Sequence, residues 1–123
     1  PAYDLVIVGC ARIGSAVAWW TARDPGFRGR ILVVERDPTY AKAASTLSHS
    51  CIRQQFGQPV NVLISRFAAE FIRDFPAWMA DAEAPVPRLQ SFGYLYLADS
   101  EGFAEVLRDN ARMQNALGAA TRI

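Results

Sequence analysis

Two short apolar runs separated by one amphipathic stretch open the chain, and no other feature restricts its fold as much. Leu5, Val6, Ile7 and Val8 form a continuous apolar run that Gly9 stops. Such a run, without alternation, predicts a strand buried on both faces in a parallel sheet. Ile13, Ala16, Val17 and Trp20 then recur at three-and-four spacing until Asp24, Pro25 and Gly26 break the pattern, which predicts a helix. Ile31, Leu32, Val33 and Val34 repeat the buried-strand signature, with Glu35 at the end and Asp37 and Pro38 just beyond. Residues 1–36 therefore read as one βαβ unit.

The turn between the first strand and the helix, Gly9-Cys10-Ala11-Arg12-Ile13-Gly14, sits where a dinucleotide-binding turn must sit. Gly9 permits the tight turn, Gly14 lets the helix pack close to the strand, and the helix N-terminus offers free amides and partial positive charge to a pyrophosphate. The middle position is Ala11 rather than the glycine that lets backbone approach the phosphates, so weakened binding is expected, with the charge of Arg12 as compensation. Glu35 follows about 20 residues later, where a carboxylate accepts hydrogen bonds from ribose hydroxyls and repels a 2′-phosphate. This favours FAD or NAD over NADP. Two readings stay open: a dinucleotide site, or a sound βαβ unit that has lost its ligand.

From Tyr40 to Phe56 the residues are small and polar, which predicts a loop running into a short helix. Pro59 opens the strongest helical pattern, with Val60, Leu63, Ile64, Phe67, Ala68, Phe71, Ile72 and Phe75 in phase until Pro76. Residues 81–88 hold Pro85 and Pro87 among small and acidic residues and read as a domain crossing. Phe92 to Ala98 then reads as a strand. Asp99 or Ser100 can cap a helix that carries Phe103, Val106 and Leu107 and stops at Gly118. Ala119 to Ile123 look like the entry to another strand, and the chain reads as stopping mid-fold. Trp19, Trp20, Phe67, Phe71 and Tyr94 are expected in the core.

Charge and cysteine usage exclude several classes. With 13 basic and 12 acidic residues the formal charge is +1, which gives no basis for binding nucleic acid or an anionic membrane. Cys10 and Cys51 lack the spacing of a metal site or a disulfide scaffold, and Cys10 reads as a small packing residue. No run is long enough to span a membrane. A cytoplasmic location is expected. The sequence begins at Pro1 rather than Met, so a removed targeting segment, a mitochondrial one for example, stays an open alternative.

The turn, Glu35 and the following Arg36-Asp37-Pro38 resemble the N-terminus of the D-amino acid oxidase and sarcosine oxidase superfamily of FAD-dependent oxidoreductases. Ala44-Ser45-Thr46-Leu47-Ser48 and Ile52-Arg53-Gln54-Gln55-Phe56 resemble its second cofactor segment, most closely that of the FAD-dependent oxidoreductase domain-containing group. Phe92-Gly93-Tyr94-Leu95-Tyr96-Leu97-Ala98 resembles the start of the substrate domain's sheet. The resemblance implies an α/β fold: the N-terminal βαβ of a Rossmann-like FAD-binding domain over residues 1–80, then the start of an α+β substrate domain over 81–123, incomplete. A flavoenzyme of this kind oxidises the C–N bond of a small amine or amino acid by hydride transfer to flavin, giving an imine that hydrolyses. The chain alone would be inactive without the C-terminal remainder, supplied by the same chain or a partner chain.

By resemblance Gly9, Ala11, Arg12, Ile13, Gly14, Glu35, Arg36, Ser45, Thr46, Ser48 and Ser50 bind the cofactor. Arg53 matches an arginine that reaches the substrate carboxylate beside the flavin, a task that suits a guanidinium; a surface or structural arginine is the alternative reading. Ser50 and Cys51 stand where close relatives usually have glycines. His49, the only histidine, would fall near the flavin and reads by default as an ordinary hydrogen-bonding side chain. No catalytic residue and no metal site is assigned. A nicotinamide-dependent dehydrogenase fragment is the alternative enzyme reading, because it shares the turn and the acid.

Overall fold

The computed structural model describes residues 2–123. They form two compact units, divided between Cys51 and Ile52. In the first, β1 (Leu5–Val8), α1 (Arg12–Arg23) and β2 (Ile31–Val34) follow in the order the sequence predicts. The strands are parallel, with Leu5 opposite Ile31 and Val8 opposite Val34. The pairing extends beyond Val8, because the Gly9 N–H donates to the Val34 carbonyl at 2.7 Å. At the other end Asp4 accepts the Arg30 N–H at 2.7 Å, which fixes the start of the pair.

Burial is one-sided, contrary to the two-sided burial read from the apolar runs. Helix α1 packs on both strands. Ile7 is buried, whereas Val6 and Val8 remain 52% and 85% exposed. A parallel sheet needs a covering layer on each face, and one βαβ unit supplies only one helix. The sequence signature describes a strand's place in a complete sheet, so it reports burial that two strands cannot provide. Between Tyr40 and Leu47 the chain makes successive turns, with the Leu47 N–H donating to Ala43 at 3.0 Å, and no helix forms there.

The second unit contains α2 (Pro59–Arg73), α3 (Phe75–Met79) and α4 (Glu101–Ala116). Pro59 occupies the first turn of α2, where its missing N–H costs nothing. Pro76 does not end helical structure as expected. It lies in the first turn of α3, a position as tolerant of proline as the first turn of α2. Ser100 caps α4 by accepting the Phe103 N–H. Gly118, at φ +82°, closes that helix: its N–H donates to Asn115 and the Ala119 N–H to Gln114, both at 2.9 Å.

Helices α2 and α4 pack against each other. Val62 and Ala69 from α2 and Ala111 and Gln114 from α4 are buried, and Arg66 donates to the Leu117 carbonyl. The apolar face read from the periodicity, with Val60, Leu63, Ile64 and Phe67, stays largely exposed. The aromatics expected in the core are also partly exposed: Trp20, Phe67 and Tyr94 are each about 40% accessible. Phe67, Phe71, Phe75 and Trp78 pack on one another instead, with centroids 5.5 to 6.2 Å apart.

Phe92 to Ala98 forms no strand. A strand is defined by the neighbour it hydrogen-bonds to, and no described residues pair with this one. Ala119 to Ile123 is likewise not a strand. Thr121 is tied back to α4, exchanging hydrogen bonds of 2.9 Å with the Asn115 amide.

Candidate dinucleotide-binding site

The turn is built by two glycines with different duties. Gly9 has φ +93°, a conformation that L side chains rarely adopt, and no atom lies near the position a Cβ would take. Gly14 is constrained by contact: an added Cβ would collide with the Gly9 carbonyl oxygen and meet Ile7 Cγ2 at 3.2 Å. Between them Ala11 sits at the helix N-cap with ordinary extended angles, φ −70° and ψ −162°, so its methyl group costs no backbone strain. Because Ala11 has no side-chain oxygen, no cap bond forms at this end of α1. The first-turn amides, which have no carbonyl four residues back, are left for another acceptor.

Ser15 donates to the Cys10 carbonyl at 2.5 Å, and its hydroxyl lies 3.4 Å from the Cys10 thiol. The half-buried thiol thus lies beside the first turn of α1. Glu35, at the end of β2, reaches across: one carboxylate oxygen accepts the Cys10 N–H at 2.6 Å and the other the Asp37 N–H at 2.9 Å. These two bonds, that from Asp37 first, hold the Glu35 carboxyl below its ordinary value of 4.5. Asp37 is lowered as well, chiefly by the Thr39 hydroxyl, which donates to it at 2.6 Å. Each Glu35 oxygen keeps a lone pair for a further donor.

Two concavities flank Ala11. A groove of about 580 Å³ is lined by Gly9, Ala11, Arg12, Ile13 and Gly14 together with Ser45 and Ser48. A smaller cavity of about 110 Å³ is lined by Ala11, Glu35, Arg36 and Asp37 together with Tyr40, Lys42 and Ala43. The phosphate turn and the acid at the second strand therefore open onto neighbouring spaces, as a pyrophosphate joined to a ribose requires. Thr46 and Ser50 line neither space, and Arg53 belongs to the second unit.

Tyr40 and Lys42 were not singled out in the sequence. Tyr40 has φ +55°, and its phenol is pushed above the usual range by the neighbouring Cys10 side chain first, then by partial burial and by the negative charge of Glu35. No spacing rule places an aromatic residue there, and an unusual backbone angle leaves no mark in composition. Ser50 also has φ +49°, in the left-handed region that favours glycine. Among the described residues no group of side chains is suited to holding a metal ion, and no helix is long and apolar enough to cross a membrane.

A parallel βαβ unit, a glycine turn with uncapped helix amides and an acid at the tip of the second strand define a dinucleotide-binding protein. The chain belongs to the FAD dependent oxidoreductase family, whose model matches residues 4–123. It is similar to FAD-dependent oxidoreductase domain-containing protein 1 of Bos taurus, at 46% identity over 120 residues, and of Mus musculus, at 42% over 121. The Xenopus laevis protein of the same name is 38% identical over 120 residues. Each alignment covers 94% of this chain but only 24 or 25% of the relative, so the chain spans about a quarter of their length. No solved structure gives a significant match.

Proposed function

We propose that this chain grips the adenosine diphosphate half of FAD in an enzyme that oxidises the C–N bond of a small amine or amino acid. The observation that carries the reading is the pair of neighbouring spaces at Ala11, with uncapped helix amides on one side and Glu35 on the other. In this reading Gly9, Arg12, Ile13 and Gly14 hold the pyrophosphate, with hydroxyl support from Ser45 and Ser48. Glu35 takes the ribose hydroxyls with its remaining lone pairs, and Arg36 flanks the same cavity. FAD, when bound, supplies the hydride acceptor. Arg53 takes a substrate carboxylate through its in-plane N–H groups.

Residues 1–80 belong, on this reading, to the FAD domain, and residues 81–123 open the substrate domain. The rest of the protein, in the same chain or a partner chain, covers the bare face of β1. The test is the visible absorbance of the purified intact protein, before and after denaturation. Flavin bands that become those of free FAD on denaturation support the reading. A colourless protein that takes up no added FAD refutes it, and uptake of NAD instead supports the nicotinamide alternative.

A further inference from the structure

Among the described residues Arg53 has no acidic partner, whereas Arg66, Arg108 and Arg112 pair with Glu70, Glu101 and Asp109. Its guanidinium instead lies over the ring of Phe56, 4.8 Å from the centroid. Phe56 is held in turn from α4. The Gln114 side-chain amide, 4% exposed, donates through Nε2 to the Phe56 carbonyl at 3.0 Å. Its Oε1 accepts the Thr121 hydroxyl at 2.7 Å. A buried amide satisfied at both ends holds the backbone it bonds to in one place. Stacking takes one face of the planar guanidinium and leaves the in-plane N–H groups, the part that grips a carboxylate bidentately.

We infer that Phe56 is a positioning residue for Arg53, and that Gln114 anchors Phe56, so that α4 fixes where the arginine presents its donors. This rests on the proposed role of Arg53 and identifies what holds that side chain. An unsupported arginine loses rotamer freedom when it binds an anion, and a stacked one has already lost much of it. The aromatic face, rather than bulk alone, is the part that matters.

The test titrates acetate, with acetamide as its neutral counterpart, into the intact flavin-bearing protein by calorimetry. Acetate should bind and acetamide should not, and Arg53→Ala should abolish acetate binding. Phe56→Met, which keeps the volume and removes the aromatic face, should weaken acetate by roughly two- to fivefold at unchanged flavin content, and Phe56→Trp should restore it. The Arg53 Nε–H proton should also carry an upfield ring-current shift in the unaltered protein. Acetate binding lost in Arg53→Ala but unchanged in Phe56→Met would overturn the positioning role and leave the arginine's role standing. Absence of the ring-current shift would do the same without any variant. Acetate binding unchanged in Arg53→Ala would remove the proposed arginine role, and the inference with it.

Discussion

Replacing Gly14 with alanine tests the close approach of helix to strand. The new methyl carbon would fall far inside contact with the Gly9 carbonyl oxygen, 2.9 Å from its carbonyl carbon and 3.2 Å from Ile7 Cγ2. Two of these three atoms are backbone, so no rotamer change relieves the clash, and α1 must withdraw from β1 by on the order of 1 Å. Overpacking of this kind costs about 1–3 kcal/mol, with the upper end expected against backbone. The better helix propensity of alanine returns at most about 1 kcal/mol. A net loss of roughly 2 kcal/mol in unfolding free energy follows, measurable by urea titration of the intact protein. Because the withdrawing helix carries its first-turn amides away from the groove, FAD affinity should fall by about tenfold or more, equivalent to one lost hydrogen bond. Gly9→Ala is the control. No atom stands near its Cβ position, so its cost of about 1–3 kcal/mol is conformational only. If Gly14→Ala stays within about 0.5 kcal/mol of the parent protein and binds FAD equally well, close packing is not the reason for glycine there.

Ala11→Gly should tighten FAD binding severalfold in a fluorescence titration, because it removes a methyl group from a residue that lines both spaces and lets the backbone approach the phosphates. An acid series of unfolding measurements should report on Glu35. Its carboxyl is lowered in the folded state, so its contribution is complete above the ordinary value of 4.5, is lost as pH falls through the lowered folded value, and should disappear in Glu35→Gln. Ser50→Gly should raise stability by about 1 kcal/mol in thermal unfolding, since serine pays for φ +49° and glycine does not. Gln114→Leu should cost about 1–3 kcal/mol in the same assay by leaving the Phe56 carbonyl and the Thr121 hydroxyl without their partner.

The βαβ unit was legible because every layer of its signal agrees. Apolar runs, glycine turn, helical period and terminal acid all specify the same arrangement, and β1 and β2 appear at the predicted residues. Phe92 to Ala98 was not legible in the same way. Its residue types state a preference for strand, but a strand exists only with a partner, and preference alone cannot supply one. The apolar face of α2 carries the same lesson, since periodicity shows which residues want cover, whereas the α2 residues actually buried are Val62 and Ala69. At the site, sequence placed Gly9, Gly14 and Glu35 by their spacing. It missed Tyr40, whose place depends on a left-handed backbone angle, and it gave no sign that Glu35 would bond to its own turn.

That bond changes what a substitution at Glu35 means for anyone redesigning cofactor preference. Charge reversal at the tip of the second strand is the obvious way to invite a 2′-phosphate. Here the same carboxylate ties the Cys10 and Asp37 amides together across the two strands. An engineered arginine would admit the new ligand and cut the brace of the turn that must hold it, so such a switch needs a second acceptor for the Cys10 amide before it can succeed.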